Sequence, residues 1–145
     1  MRKYALLAIM ALGCLCSCGG NAPESKGDSF SSEEGQKSYD LVAAGKLMAY
    51  GMMVDIRMTP EDYVGAKIRV GGNYDYALDE DTGDVYHSVA VTDVTGCCAE
   101  FMQFVLVEGK VPDVGQYFIV TGTFEPYDFY GQTKYHLVDA VGSLN

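Results

Sequence analysis

The stretch GAKIRVGGNY, residues 65–74, comes back without gaps as GQYFIVTGTF, residues 115–124. Both copies read glycine, a β-rich run, valine, glycine, aromatic. Within the first copy Ile68 and Val70 alternate with Lys67 and Arg69, the period of a strand with one buried face. Tyr86-His87 and Tyr135-His136 then recur at almost the same spacing after each copy. A chain that repeats a strand pattern in this way is committed to β structure, and to two related hairpins.

Three further segments carry strand character. Val85–Val91 follows the first copy, Lys134–Val141 follows the second, and Phe101–Val107 stands between them. With Ile68–Val70 and Tyr117–Phe124 this makes five short strands separated by Gly-rich turns. Two similar hairpins flanking one odd strand predict a mainly β fold, a small five-stranded OB-fold-like barrel. Gly72 and Gly122 are placed to let its strands bend at the barrel corners. An immunoglobulin-like sandwich normally uses more strands.

Ahead of the barrel, Leu41, Ala44, Met48 and Met52 fall near helical spacing and predict a short N-terminal amphipathic helix, against the cost of Gly45 and Gly51. Met48, Met52, Met53 and Met58 read as core filling rather than as a soft-metal site, because no other ligand type accompanies them. Thr59-Pro60-Glu61-Asp62 predicts one further helical turn, with Thr59 as cap, Pro60 at its first position and Gly65 as left-handed stop.

The first residues decide location. Arg2 and Lys3 precede an apolar run from Tyr4 to Leu15, of signal-peptide length and too short to span a bilayer. A small residue then precedes a cysteine. That pattern resembles the lipobox of bacterial lipoproteins, in which the cysteine receives a diacylglycerol and the peptide before it is removed. Leu15-Cys16-Ser17-Cys18 marks Cys18 as the lipidated residue, with Cys14 after Ala11-Leu12-Gly13 as runner-up. Residues 1–17 are then a lipoprotein signal peptide and 18–37 a flexible tether rich in Gly, Ser and Glu. Residues 38–145 form the folded domain. The expected location is the extracytoplasmic face of the cell membrane, held by a lipid anchor.

Charge narrows the partners. The chain carries a formal net charge of −10, and cleavage removes two basic residues and no acidic one. Such a domain repels nucleic acid and anionic headgroups, and suits neutral, cationic or metallic partners. Tyr127, Phe129 and Tyr130 lie between the fourth and fifth strands, where OB-folds often bind ligands, and are candidate ligand-binding residues that also serve to close the barrel. The acidic run Asp79–Asp84 lacks EF-hand spacing and reads as a solvated hairpin loop.

TGCCAEF, residues 95–101, sets Cys97 beside Cys98. Three uses are open. The pair is a candidate site for Zn²⁺ or Cu⁺, with His136 as third ligand and Asp93 or Glu100 as oxygen donors. It is also a candidate vicinal disulfide, strained and easily reduced, hence a redox switch. The third reading is packing, two small hydrophobes in a turn. A nucleophilic role is disfavoured by the acidic surroundings, which raise a thiol pKa. No triad, phosphate loop or paired catalytic carboxylate is present in the sequence, and a non-enzymatic role is expected.

Glu61-Asp62-Tyr63-Val64-Gly65, Asp93-x-x-Gly96-Cys97-Cys98 and Glu100-Phe101-x-x-Phe104 together resemble a family of small bacterial lipoproteins of unknown function with a Thr-x-Cys-Cys signature. The same segments are similar to the C-terminal domain of certain permease-associated membrane proteins. The resemblance covers about residues 59–141. It implies a protein partner or permease and transport of a small solute or metal ion, and it brings no catalytic residue.

Overall fold

The computed structural model describes residues 35–107 and 109–144. The lipidation site assigned to Cys18 and most of the tether lie outside the described residues. Gln36 and Lys37, assigned above to the tether, already touch the barrel: Gln36 Nε2 donates to the Gly65 carbonyl at 2.9 Å, and Lys67 N–H donates to the Lys37 carbonyl.

The elements run β1 (Ser38–Asp40), α1 (Lys46–Met58), a 3-10 turn (Pro60–Tyr63), β2 (Lys67–Leu78), β3 (Val85–Thr92), β4 (Ala99–Leu106), β5 (Tyr117–Phe129) and β6 (Gln132–Leu144). β2 to β6 are the five expected strands. Antiparallel pairs join β2 to β3, β3 to β4, β5 to β6 and β2 to β5, and a parallel pair joins β4 to β6. The ring of hydrogen bonds therefore closes in the order β2-β3-β4-β6-β5, the connectivity expected of an OB-fold-like barrel.

The two echoed segments lie side by side. Val70 is paired with Val120, Ile68 with Gly122 and Gly72 with Phe118. Equivalent residues of the repeat are thus related by a local two-fold about the Val70–Val120 pair. Each glycine stands opposite the other copy's large inward residue. Neither glycine tolerates a side chain: a Cβ at Gly72 would lie 2.4 Å from the Ala90 carbonyl oxygen, and one at Gly122 2.7 Å from that of Val138. At Gly72 the strand turns from β5 to β3 as its partner, which is how one long strand serves two sides of a closed barrel.

Alternation fills the interior. Ile68, Val70, Val89, Val120 and Leu137 are wholly buried, packed with Met102, Phe104, Phe118 and Phe124. Burying a side chain of this size contributes about 1.5–3 kcal/mol. α1 covers one side of this core.

The N-terminal helix starts later than the sequence suggested and uses another face. Ser38–Asp40 is a strand parallel to β2, and Asp40 pairs with Arg69 at 3.1 Å. Gly45, at φ 79°, precedes the helix. Its inward stripe is Ala49, Met53 and Ile56; Leu41 is buried but lies before the helix. Met48 and Met58 are exposed, so among the four methionines only Met53 is core and Met52 packs partly against it. Spacing alone could not choose between two apolar stripes about a third of a turn apart, because apolar side chains, Met among them, occupy both. Thr59 makes no side-chain cap; its hydroxyl donates back to the Asp55 carbonyl, and it closes α1 instead. The Tyr63 hydroxyl donates to the Asp55 carboxylate, a bond that pushes the Tyr63 pKa up to about 12. Gly65 is left-handed, at φ 79°, as the stop signal required.

Candidate functional site

β3 and β4 are joined by a six-residue turn, Asp93 to Cys98, that brings its own ends together. Asp93 N–H donates to the Cys98 carbonyl at 3.0 Å, and Gly96, left-handed at φ 76°, donates to the Asp93 carbonyl. The Asp93 carboxylate then folds over the turn. Its Oδ1 accepts the Cys97 N–H at 3.1 Å, and its Oδ2 accepts the Thr95 hydroxyl at 2.8 Å. The Thr95 hydroxyl bond, helped by Cys97 and the backbone donors, holds the Asp93 pKa below the usual carboxylate range. Asp-x-x-Gly is a local turn signal, and here it is what places a carboxylate under two thiols.

The sulfurs are 3.6 Å apart, and Cys97 Sγ is 3.4 Å from Asp93 Oδ2. Ligand atoms of Asp93, Cys97 and Cys98 all lie within 4.8 Å of one another. Both cysteines are exposed free thiols, which removes the packing reading. Cys98 is pushed above the ordinary thiol range, first by its contact with Cys97 and the charge there, then by burial, Asp93 and Glu100. Burial first, then the charges of Cys98, Glu100 and Asp93, raise Tyr50 on the facing helix.

His136 does not join this corner. The parallel register sets Phe104 beside Leu137, so His136 is level with Gln103, five residues along β4 from Cys98. At 3.3 Å per residue that is about 16 Å. Being near the starts of adjacent parallel strands is not proximity when one group precedes its strand and the other lies inside. His136 instead stacks on Tyr127, ring centroids 4.4 Å apart, and burial lowers its pKa while Glu125, its cross-strand neighbour, partly restores it. His87 is occupied too, its Nδ1 2.7 Å from the Tyr74 hydroxyl. Glu100 is held by Arg57 at 2.9 Å.

The aromatics at 127–130 are not a loop. β5 and β6 continue as a hairpin to Phe129 and Gln132, closed by Tyr130 at φ 51° and Gly131 at φ 79°. Two consecutive left-handed residues match the twist of a tight hairpin. This arm leans over the outer side of β4 and β3. The Tyr127 hydroxyl donates to Gln103 Oε1 at 2.6 Å, Phe129 meets Tyr86 edge-on at 5.5 Å, and the Tyr130 hydroxyl donates to Asp79 at 2.7 Å in the β2–β3 turn. Tyr127 and Phe129 are half-buried in doing so, while Tyr130 stays exposed.

Between this arm and α1 runs a groove of about 310 Å³. Phe101, more than half exposed on β4, lies in it; Ile56, Arg57 and Pro60 form one wall and Thr133, Lys134 and Tyr135 the other. Its size and mixed lining are those of a small-ligand site. Phe101 was legible as a strand residue, but only the closed ring shows that it faces outward. Set against protein-family models and curated proteins, the chain matches none of either.

Proposed function

We propose that this chain is a membrane-anchored extracytoplasmic lipoprotein whose OB-fold-like domain binds a ligand or protein partner, such as a permease subunit, without catalysing a reaction. The groove on the outer side of β4 carries this reading. OB-folds bind on the face of the corresponding strands, between the turns that here are Asp79–Asp84 and Tyr130–Gly131. Exposed Phe101 offers a flat apolar surface, and Arg57, Glu100 and Lys134 supply polar contacts around it. The acidic balance favours a neutral or cationic ligand, a sugar or an extended peptide, over nucleic acid.

The anchor rests on the basic start, the apolar run and the small residue before Cys18. Among the described residues no helix is long and apolar enough to cross a membrane. Two measurements test the proposal. Cys18→Ser moves the protein from the membrane to the soluble fraction and ends labelling by radioactive fatty acid. Amide NMR with neutral oligosaccharides and a lysine-containing hexapeptide gives shifts over residues 100–105 and 133–135 that Phe101→Ala abolishes. Shifts confined to other faces would remove the groove from consideration. A second reading, favoured by the approach of two thiols and a carboxylate in the β3–β4 turn, is that the domain also holds a metal ion.

A further inference from the structure

We infer that Asp93, Cys97 and Cys98 form a three-ligand S₂O site for Zn²⁺, with a fourth coordination position open to water or to a donor from another molecule. The inference rests on the metal-holding reading of the β3–β4 turn and adds the ion, the third ligand and the open position.

Two of the three ligand separations match the ion, and the third lies within 4.8 Å. With Zn–S near 2.3 Å and Zn–O near 2.0 Å, a tetrahedron sets two sulfurs about 3.8 Å apart and a sulfur and an oxygen about 3.5 Å apart. The Sγ–Sγ separation is 3.6 Å and the Cys97 Sγ–Asp93 Oδ2 separation is 3.4 Å. Two-coordinate Cu⁺ holds its thiolates on opposite sides of the ion, two bond lengths apart, which this turn does not offer. A carboxylate as third donor also suits a borderline divalent cation better than a soft monovalent one. Hard cations such as Ca²⁺ and Mg²⁺ take oxygen ligands and have one carboxylate here.

The rest of the turn suits the role. Asp93 is oriented by the Thr95 hydroxyl and the Cys97 N–H, the outer contacts that fix a ligating carboxylate. Neither histidine reaches the site, as the register and their ring contacts establish, and Glu100 is engaged by Arg57. With three ligands drawn from one exposed turn, the fourth position faces solvent. Structural zinc sites are closed by four protein ligands, whereas a three-ligand site leaves a place for exchange. Binding displaces the two thiol protons to solvent, so no oxidant or reductant is involved.

The test uses the processed lipoprotein, from lipidated Cys18 onward so that Cys97 and Cys98 are its thiols, held in detergent, reduced with a phosphine and freed of chelator. Zn²⁺ is titrated against a chromophoric chelator, and Co²⁺ is used as the spectroscopic probe. The expected result is one Zn²⁺ per chain. Co²⁺ should give the strong visible absorption of a four-coordinate ion together with thiolate charge transfer, and imidazole should shift the former while leaving the latter. Cys97→Ser and Cys98→Ser each abolish the charge-transfer pattern. Asp93→Asn keeps an oxygen acceptor for the turn and weakens Zn²⁺ by at least ~10-fold, the scale for even outer-shell losses. The outcomes separate the two levels of the inference. No Zn²⁺ uptake by reduced protein, or uptake that survives loss of both thiols, overturns the metal reading itself. One Zn²⁺ that ignores Asp93→Asn, or a cobalt spectrum unmoved by imidazole, leaves a metal site but overturns the S₂O ligand set or the open position.

Discussion

Two hairpin ends of this barrel use their reactive-looking side chains in opposite ways. At the β3–β4 turn a single carboxylate and the backbone hold the loop, and the thiols are left exposed and free. At the β5–β6 arm the aromatic rings and hydroxyls are themselves the fastening, engaged with Gln103, Tyr86, Asp79 and His136. A six-residue turn closes on its own hydrogen bonds and has side chains to spare. An arm that reaches past the barrel has only its ring faces with which to hold itself down. A cluster of chemically interesting residues is therefore a stronger site candidate where the backbone does the holding.

The contrast makes a graded set of expectations. The largest effect falls on the arm: Tyr127→Ala removes the stack on His136 and the bond to Gln103, and costs about 2 kcal/mol in denaturant unfolding. A loss near zero would mean that the arm is not fastened as described. Asp93→Ala strips the β3–β4 turn of its side-chain acceptor and costs about 1 kcal/mol, while weakening Zn²⁺ by at least ~10-fold. A third expectation concerns pH. The folded pKa of His136 lies below its ordinary 6.5, so the unfolded chain binds more protons in that window. Its contribution is present above pH 6.5 and is lost as pH falls through the depressed value. Proton NMR should find the His136 pKa low in the parent and closer to 6.5 in Tyr127→Ala, with Glu125 the charge that faces it. The smallest effect is Cys97→Ser with Cys98→Ser, expected to change stability by less than ~0.5 kcal/mol. A large loss there would show the thiols to be structural after all.

Much of the fold was open to a reader of residues. Ile68 and Val70 against Lys67 and Arg69 marked a half-buried strand, and the echo of 65–74 in 115–124 implied two like hairpins around one odd strand. A turn at Cys97-Cys98 was among the readings, and Asp93 was already a candidate donor. His136 and the stretch 127–130 were not legible in the same way. Their neighbours depend on how far β6 runs before it meets β4, and on whether the chain after Phe124 stays paired. Neither is written in local pattern.

Alternation, glycine placement and turn chemistry act over a few residues, so the sequence by itself determined the five strands, the left-handed stop at Gly65 and the tight Asp93–Cys98 turn. Repetition carried this one step further, to two like hairpins; that the copies pair with each other, Val70 against Val120, was settled by the closed ring. Only the tertiary structure decided which stripe of α1 faces the core, that Phe101 opens into a groove, and that His136 stands about 16 Å of strand rise from the thiols. Those outcomes depend on the stagger between strands distant in the chain, and stagger is set when the whole ring closes around its core.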